Sequence, residues 1–469
     1  MDVNQMIDEL VAKARKAQSQ VADYTQEQID EVCMAIGWQM YEQSNIEKMA
    51  ALAVEETGMG NVEDKIKKHI NKVLGVLDDI RGVRSVGLIE EDKEKGIRKY
   101  AKPVGVVGAL TPVTNPTATP ASNAVTILKG RNAVIFAPHP KAKNCSKLAV
   151  DLMREGLKKA GAPEDLIQII SEPSIEASNV LMSKVDIVLA TGGSAMVKAA
   201  YSSGTPSYGV GPGNAVQIIA EDADVKDAAG KVMLSKTFDN ATSCSSENSI
   251  IVHESIYNEI IDALKENGAH ICSAEEKEKL QKWMWVPNKK GKLALNPKII
   301  AQHASVIAEG AGFKIAEGVK ALVVEAFPPV KEEMFAKEKI SPVLSLWKYS
   351  DFEEGLSLLK EITDNEGTGH SCGIHTFNEE YIERLGQEVH TSRIMVRQPQ
   401  AAANGGSFNN GMHSTVTLGC GTWGGNITTE NIWYKHFLNI TWLSVPIEDH
   451  RPAEEEVFGA YWKKFGKNV

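Results

Sequence analysis

The sequence predicts an α/β protein with a doubly wound parallel sheet, and two observations support this prediction. Apolar runs typical of buried parallel strands recur between residues 104 and 190. Helical stretches separate these runs at the spacing of βαβ units, which assemble into a parallel sheet with helices on both faces. The chain of 469 residues is long enough for two or three domains.

The elements follow from the spacing of apolar residues. Apolar side chains at helical spacing predict a helix over 3–21, and further helices fill 26–80 with breaks at Gly58 and Gly60. A charged turn at 91–96 predicts a projecting hairpin over 84–101. The strands predicted beyond it are 104–110, 133–137, 166–170, 185–190, 215–220, 249–252, 321–325 and 437–445. The helices predicted there are 144–160, 175–183, 195–201 and 224–237, with one more ending at Lys129.

Three turns at the carboxyl ends of predicted strands form a candidate ligand site, because parallel sheets of this kind bind ligands there. They span 111–117, 137–140 and 191–194. Gly192 and Gly193 precede a helix, and glycines at that place let a helix N-terminus approach a phosphate. A plain turn explains the pair equally well. A further Gly-rich loop is expected over 208–214.

Cys244 is the candidate nucleophile. It lies in a stretch of small polar residues that leads into the strand over 249–252. A thiol on a loop that feeds a rigid element is well placed to react, and small neighbours leave room for a substrate. A buried structural cysteine explains the stretch about as well, because a free Cys often behaves as a small hydrophobe.

Composition and charge argue against a nucleic-acid-binding, disulfide-rich, metal-binding or membrane protein. The net charge of −10 argues against a nucleic-acid partner. The six cysteines form no CxxC pair and the eleven histidines no HxxxH pair, so neither a disulfide framework nor a metal site is expected. The N-terminus has no apolar signal core, and no apolar run reaches the ~18 residues of a membrane span. We therefore expect a cytoplasmic protein with no membrane partner.

Taken together, these motifs resemble the aldehyde dehydrogenase superfamily, and most closely its CoA-acylating branch. The resemblance covers nearly the whole chain. Its segments are 103–108, 111–116, 137–140, 190–196, 209–214, 238–249, 337–343, 369–371 and 418–425.

The resemblance implies a domain organisation. We expect a doubly wound cofactor domain over 1–236, which carries the hairpin 84–101, and an α/β catalytic domain over 237–418. A return segment follows over 419–469. The hairpin and the strand 437–445 are expected to be β arms that join subunits into a homodimer or homotetramer.

The resemblance also implies roles for individual residues. Cys244 matches the nucleophile, and its backbone N–H group would be one donor of the oxyanion hole. Asn115, or Thr114 before it, matches the side-chain donor. Glu338 matches the glutamate that holds the nicotinamide ribose. The remaining cofactor positions are Thr111, Pro112, Pro138, His139, Gly192, Gly193, Ser194 and Gly211.

The mechanism that the resemblance implies passes through a thioester on Cys244, which forms after the thiolate attacks an aldehyde and hydride leaves for NAD(P)+. Hydrolytic members of the family carry a Glu that begins the Gly-rich loop and activates water. Gly209 stands at that position here, and Glu221 and Asp222 are expected to lie far away. Water is then a poor nucleophile, whereas the CoA thiolate is a good one. The sequence therefore favours an acyl-CoA product, with CoA as co-substrate.

Three other functions stay open. A hydrolytic aldehyde dehydrogenase would form product without CoA, with another acid as the base. A related phosphate reductase would react with an acyl phosphate. An inactive relative would serve only as a structural or binding protein, although Asn115, Cys244 and Glu338 argue against it.

His370 lies in the motif Gly369-His370-Ser371-Cys372. An imidazole titrates near neutral pH, so it is suited to contact CoA or to help deprotonate a thiol. A structural histidine bonded to the backbone is an equally good explanation. Cys372 and Cys420 are interpreted as core residues.

Arg397 leads to a prediction for the substrate. It enters the Gly-rich and Asn-rich loops over 399–428, which by resemblance border the aldehyde pocket, and related enzymes tend to carry Asn at its position. A guanidinium offers paired donors to a carboxylate or sulfonate, and Arg393 is the second candidate. We therefore expect a short anionic aldehyde, with sulfoacetaldehyde or succinate semialdehyde ahead of acetaldehyde. The alternative is an arginine that pairs locally and never meets the substrate.

The turn at 138–140 predicts the cofactor preference. It contains no acid that would repel a 2′-phosphate, and His139 with Lys141 or Lys143 is suited to attract one. NADP is therefore expected to be accepted, with NAD as the alternative.

Overall fold

Four helices form the N-terminal part of the chain. The structure is a computed structural model and describes residues 2–288 and 290–467. The helices are α1 (Val3–Val21), α2 (Gln26–Tyr41), α3 (Gln43–Thr57) and α4 (Val62–Ile80). These bounds confirm the helices predicted over 3–21 and within 26–80. Gly58 ends α3 with a φ of +67°, and the Asn61 side chain accepts the Asp64 N–H group where α4 begins.

A hairpin and a five-stranded sheet follow. Their elements are β1 (Gly87–Asp92), β2 (Ile97–Pro103), β3 (Val106–Leu110), α5 (Ala118–Lys129), β4 (Ala133–Ala137), α6 (Lys143–Lys159), β5 (Ile167–Ile169), α7 (Ile175–Lys184), β6 (Ile187–Thr191), α8 (Ser194–Tyr201) and β7 (Ser207–Val210). β1 and β2 form the predicted antiparallel hairpin. The other five strands are parallel in the order β5-β4-β3-β6-β7. The doubly wound sheet is therefore confirmed.

One boundary in this region is wrong. The Gly-rich loop expected over 208–214 begins as a strand, because Ser207–Val210 pairs in parallel with β6. Glycine disfavours strands, but this segment completes the edge of a sheet whose hydrogen bonds outweigh that preference.

A larger parallel sheet is built from the second half of the chain. Its elements and their neighbours are β8 (Ala215–Ile219), α9 (Val225–Thr237), β9 (Glu247–His253), α10 (Tyr257–Glu266), β10 (Ala269–Ile271), α11 (Ala274–Met284), β11 (Trp285–Pro287), β12 (Leu293–Leu295), α12 (Ala304–Ala311), β13 (Ala321–Glu325), β14 (Val343–Tyr349), α13 (Phe352–Asn365), β15 (Cys372–His375), α14 (Glu379–Glu388), β16 (Ile394–Val396), α15 (Gln400–Ala403), β17 (Leu438–Ser444) and α16 (Glu454–Phe465). Seven of these strands form the order β10-β13-β14-β9-β8-β15-β16. β11 and β12 form a small separate hairpin.

The pairing of β8 bears on the predicted domain boundary at residue 236. β8 lies between β9 and β15 in the larger sheet, and α9 packs on that sheet, with Val232 in the same apolar cluster as Ile250. Both elements therefore belong with the second sheet. The division over 1–236, 237–418 and 419–469 stays a prediction, and strand pairing favours a first boundary in the loop 211–214.

The last strand returns to the N-terminal half of the chain, as the sequence predicts for 437–445. β17 pairs antiparallel with β2, so that β1, β2 and β17 form a three-stranded sheet. This sheet and α16 expose apolar side chains, among them Trp442 (62% exposed), Leu443 and Phe458.

The two parallel sheets meet at the loop 211–214, which links the carboxyl end of β7 to the amino end of β8. Because all strands of the larger sheet are parallel, the segments that precede β8, β9, β14 and β15 gather at one edge. Cys244, Glu338 and His370 all lie in these segments. The fold therefore brings together three residues that are far apart in the sequence.

Candidate active site

A cavity of about 290 Å³ lies beside Cys244. α4 supplies Lys68, Asn71 and Lys72 to its wall, and the turn after β3 supplies Asn115. The rest of the wall comes from α9, the Cys244 loop and the loops 401–408 and 414–418. The predicted nucleophile and the predicted side-chain donor thus line the same cavity.

Cys244 faces a histidine. The His370 Nε2 atom lies 3.2 Å from the Cys244 Sγ atom, and His370 Nδ1 lies 2.9 Å from Ser371 Oγ. The tautomer with its hydrogen on Nδ1 donates to Ser371 and leaves Nε2 free to accept the thiol hydrogen. The arrangement therefore favours the thiol-directed explanation of His370 over a purely structural one.

Burial keeps both groups of this pair neutral. Burial lowers the pKa of His370 to about 3, and the nearby Arg393 charge adds to this effect. Burial also raises the pKa of Cys244 to about 12, helped by the negative charge of Glu338 and opposed by Arg393. At neutral pH the pair is thus a neutral imidazole and a neutral thiol.

Asn115 is held by a lysine. Lys68 Nζ donates to Asn115 Oδ1 (2.7 Å), which turns the amide N–H groups of Asn115 away from Lys68. The same ammonium donates to Asp239 Oδ2 (2.5 Å) and Thr242 Oγ1 (2.7 Å). The sequence motif around Cys244 is therefore tied to Asn115 through Lys68.

Asp239 is the fixed point of this network. Its carboxylate is fully buried and also accepts from Lys65 Nζ (3.1 Å) and from the Asn61 N–H group (3.0 Å). Burial alone would raise the pKa of Asp239, but the Lys68 and Lys65 charges outweigh it and hold that pKa below its usual range. The residue has a φ of +51°, a backbone conformation that is costly outside glycine.

Glu338 lies beside the cavity rather than in its wall. The Gly213 N–H group bonds to its carboxylate, while burial and the neighbouring Glu366 raise its pKa to about 8. A Cβ atom on Gly213 would lie 2.1 Å from Cys244 O, so the loop that bonds to Glu338 also packs against the Cys244 loop.

The predicted cofactor residues lie together at the carboxyl edge of the five-stranded sheet. They follow β3 (Thr111, Pro112), β4 (Pro138, His139), β6 (Gly192, Gly193, Ser194) and β7 (Gly211). The Thr111 N–H group donates to Ala137 O (3.1 Å) and joins two of these turns. Gly193 begins α8 without a side-chain cap, so the first N–H groups of this helix are available to an anion.

Thr114 is less well placed than Asn115 to donate a hydrogen bond to an oxyanion in the cavity. It does not line the cavity, and within the described residues its hydroxyl forms no hydrogen bond. The geometry therefore favours Asn115 as the side-chain donor.

A carboxylate base is missing where hydrolytic relatives carry one. Gly209 is buried in β7, and a Cβ atom there would lie 2.7 Å from both Tyr201 Cε2 and Val197 Cγ1, so a glutamate does not fit. Asp222 follows the carboxyl end of β8 and accepts the Thr376 hydroxyl (2.7 Å). Because the site lies at the amino end of β8, the expectation that Glu221 and Asp222 are distant is confirmed.

The structure corrects the substrate prediction for Arg397. This residue follows β16 at its carboxyl end, where its guanidinium donates to Thr376 O (2.5 Å) and stacks over Phe377 at 4.8 Å. The cavity lies at the opposite, amino edge of the sheet, and a four-residue strand such as β15 spans roughly 13 Å. Arg397 therefore does not line the cavity, and the geometry does not support the predicted contact with an anionic substrate.

Arg393 precedes β16 and lies at the correct edge, but each nitrogen of its guanidinium is bonded within the chain. It donates to Asn431 Oδ1 (2.7 Å), His370 O (2.9 Å) and Gly419 O (2.5 Å). Burial lowers its pKa to about 10. Arg393 thus positions the His370 segment, with hydrogen bonds from all three of its side-chain nitrogens to other parts of the chain.

Lys68 and Lys72 line the cavity but carry no signal in the sequence. They are four residues apart on α4, and this spacing places them on one face of a helix. In the sequence they belong to a charged stretch, 63–72, that is indistinguishable from a solvated helix face. Only the packing of α4 against the Cys244 loop reveals them.

One possible metal-ligand group is present in the described part of the chain. His270, Cys272 and Glu276 have ligand atoms within 4.8 Å of one another. Glu276 Oε2 already accepts the Ser273 N–H group (2.8 Å) and contacts His270 Nε2 (3.2 Å). The group does not line the Cys244 cavity.

Comparisons with known proteins agree with this site. The chain is 62% identical to a sulfoacetaldehyde dehydrogenase of Acholeplasma over 98% of this chain and 95% of that protein. It is 56% identical to a sulfoacetaldehyde dehydrogenase (acylating) of Bilophila wadsworthia over 98% and 99% of the two chains. Its structure matches that of a Rhodopseudomonas palustris propionaldehyde dehydrogenase with bound CoA and an acylated cysteine, with a TM-score of 0.84, 28% identity, and coverage of 94% and 97% of the two chains.

A family model supports the same conclusion. The model described as the aldehyde dehydrogenase family matches residues 3–419. The parallel sheets and the Cys244 cavity agree with these matches. The chain belongs to the aldehyde dehydrogenase family.

Proposed function

We propose that this chain is a CoA-acylating aldehyde dehydrogenase that oxidises sulfoacetaldehyde to sulfoacetyl-CoA with NADP+ or NAD+. The observation that carries the proposal is the contact of 3.2 Å between His370 Nε2 and Cys244 Sγ, in a site with no room for a glutamate at Gly209. The identity of 62% to a sulfoacetaldehyde dehydrogenase supports the substrate.

The cofactor fits the carboxyl edge of the five-stranded sheet. The uncapped N-terminus of α8 suits a diphosphate, and the buried Thr111 hydroxyl has no partner within the described residues. Glu338 is suited to accept hydrogen bonds from the nicotinamide ribose. When bound there, NAD(P)+ supplies the hydride acceptor. His139 Nδ1 accepts the Lys141 N–H group (3.1 Å), and we keep NADP as an accepted cofactor, with NAD as the alternative.

Acylation begins at Cys244. His370 accepts the thiol proton, and the sulfur forms a bond to the aldehyde carbon, which converts the carbonyl oxygen into an oxyanion. The Asn115 amide and the Cys244 N–H group donate to that oxyanion. Loss of hydride from the same carbon restores the carbonyl and leaves a thioester on Cys244. The protonated imidazole then releases its proton to water, so that His370 is neutral again before CoA reacts.

Acyl transfer to CoA completes the cycle. His370 accepts the proton of the CoA thiol, and the CoA sulfur attacks the thioester carbon. The carbon–sulfur bond to Cys244 then breaks, and the protonated imidazole returns its proton to the Cys244 thiolate. The same Asn115 donors stabilise this second oxyanion.

The proposed function predicts that sulfoacetaldehyde drives NADPH formation only with CoA present, and that the product is an acyl-CoA. Cys244→Ala should abolish this activity, because the carbon–sulfur bond cannot form. Cys372→Ala and Cys420→Ala are the matched controls, since these thiols are buried in the core. NADPH absorbance and mass spectrometry of the product decide the question. A carboxylate product formed without CoA would instead show a hydrolytic enzyme, and a higher kcat/KM for acetaldehyde would show an acetaldehyde dehydrogenase.

A second prediction concerns the positioning of Asn115. Lys68→Met should lower kcat with sulfoacetaldehyde by about tenfold to a hundredfold, because Asn115 loses the partner that fixes its amide. Asn115→Ala should cost about a hundredfold or more, the usual effect of losing an oxyanion donor. Steady-state kinetics of the double variant should show a loss close to that of Asn115→Ala alone. Lys67→Met is the control on the exposed face of α4, and fully multiplicative losses in the double variant would contradict the coupling.

The pH dependence of thiol reactivity gives a third prediction. Because burial raises the pKa of Cys244 to about 12, the thiolate fraction is small at neutral pH and grows with pH. Inactivation of the free enzyme by iodoacetamide should therefore accelerate by about tenfold per pH unit between pH 7 and 9. N-acetylcysteine is the reference, and its alkylation should level off near its own pKa. A plateau for the enzyme below pH 8 would indicate a thiolate–imidazolium pair at rest.

We also propose that the chain forms a homodimer or homotetramer through β17 and α16. The exposed apolar side chains of this region, such as Trp442 and Phe458, support this assembly, because water-exposed apolar patches mark interaction surfaces. Light scattering at micromolar concentration should show a dimer or larger, and Trp442→Glu should weaken it. A wild-type monomer would overturn the proposal.

The cytoplasm stays our prediction for the location of the protein. Within the described residues no helix combines the length and apolarity of a membrane span.

A further inference from the structure

We propose that Lys72 binds the anionic group of the aldehyde and determines the preference for a sulfonate substrate. This inference rests on the proposed function, and it assigns to α4 the task that the sequence analysis gave to Arg397. Lys72 is a specificity-determining residue under this proposal and takes no part in bond formation.

The wall of the cavity carries positive charge. Its 20 lining residues include Lys68 and Lys72 but no aspartate or glutamate. A neutral aldehyde gains nothing from a cationic wall, whereas an anionic one is attracted by it. The cavity is thus suited to a substrate with a negative charge.

The two lysines differ in their hydrogen-bond partners. The Lys68 ammonium donates to Asn115, Asp239 and Thr242, so its three N–H groups are used and its charge is paired with Asp239. Lys68 therefore serves Asn115 and has no donor left for a substrate.

Lys72 is different. Its ammonium donates to Gly405 O (2.6 Å) and more weakly to Gly406 O (3.3 Å). Within the residues that the structure describes it forms no salt bridge, so its charge has no anionic partner. Burial lowers the pKa of Lys72 to about 8, the Lys68 charge adds to this and Asp79 opposes it. An anion in the cavity would favour the charged lysine.

The surroundings of Lys72 supply neutral donors. Asn71 and Ser414 line the same cavity, and within the described chain the Asn71 amide and the Ser414 hydroxyl have no hydrogen-bond partner. α4 approaches this loop closely at Gly75, where a Cβ atom would lie 2.4 Å from Ser414 Oγ. The close approach is possible because glycine has no side chain. A sulfonate offers three acceptor oxygens against two in a carboxylate, so it can use such a set of donors more fully.

The spacing fits a short substrate. Lys72 lies four residues, about 6 Å, beyond Lys68 along α4. Lys68 holds Asn115, which is the proposed donor to the carbonyl oxygen. A small molecule whose aldehyde meets Asn115 and Cys244 therefore has its anionic end on the side of Lys72.

The test compares neutral variants of Lys72. Lys72→Gln removes the charge, and its shorter amide keeps a donor on the side of Gly405 O. Lys72→Met is a second neutral variant with an unbranched stem. We expect kcat/KM for sulfoacetaldehyde, with saturating CoA and NADP, to fall by about tenfold to a hundredfold in both, the usual worth of a charged hydrogen bond. The kcat/KM for acetaldehyde should change by less than about threefold. Sodium ethanesulfonate should inhibit acetaldehyde oxidation competitively in the wild type and lose this effect in both variants.

Two controls complete the experiment. Lys67→Gln removes one charge from the exposed face of the same helix, where Lys67 pairs with Glu63, and should leave both substrates unaffected. Lys72→Arg keeps the charge and should retain the preference for sulfoacetaldehyde over acetaldehyde. Thermal unfolding shows which variants are folded.

The outcomes distinguish this inference from the proposed function. If the wild type prefers sulfoacetaldehyde and the neutral variants lose both substrates equally or neither, Lys72 only ties the loop to α4 and the inference fails alone. If the neutral variants lose succinate semialdehyde more than sulfoacetaldehyde, Lys72 recognises carboxylates and the sulfonate assignment is overturned. If the wild type prefers acetaldehyde, the substrate of the proposed function fails, and this inference fails with it.

Discussion

The buried Asp239 carboxylate is the interaction on which the site depends. It accepts hydrogen bonds from the backbone of Asn61, from Lys65 and Lys68 on α4, and from Thr242 near the nucleophile. A buried charge is tolerated only when it is paired and hydrogen-bonded, and here two ammonium groups and two further donors meet that condition. The network fixes α4, from the N-terminal helices, against the Cys244 loop of the second sheet. It also holds a residue at a φ of +51°, and such strain persists only where the surroundings determine it.

The second constraint is the direction of the strands. Parallel strands place all their amino ends at one edge, so the segments before β9, β14 and β15 bring Cys244, Glu338 and His370 together although they are spread over more than a quarter of the chain. The same rule separates two arginines only four residues apart. Arg393 precedes β16 and bonds to His370 O, whereas Arg397 follows β16 and bonds to Thr376 O. One short strand between them decides which arginine reaches the site.

The electrostatics of the site follow from burial. Desolvation lowers the pKa of His370 and raises the pKa of Cys244, so the resting pair carries no charge that would have to be solvated. Charge then develops mainly when an aldehyde or a thioester is attacked, next to donors that are already in position. Preorganised donors of this kind stabilise a developing oxyanion without the cost of reorienting water.

The sequence by itself determined the fold class, most element boundaries and the family, and it predicted Cys244, Asn115 and Glu338 as site residues. Periodic apolar patterns report which face of an element is buried, and short motifs such as the Cys244 stretch keep their residues together in the chain. The sequence left the role of His370 open, placed β8 and α9 with the first sheet, and chose Arg397 for the substrate. The tertiary structure places β8 in the larger sheet, brings His370 to Cys244 and bonds Arg397 to Thr376 O. Strand order, the edge at which a residue lies and the partners of Lys68 and Lys72 depend on contacts between segments distant in sequence, and no local pattern records them.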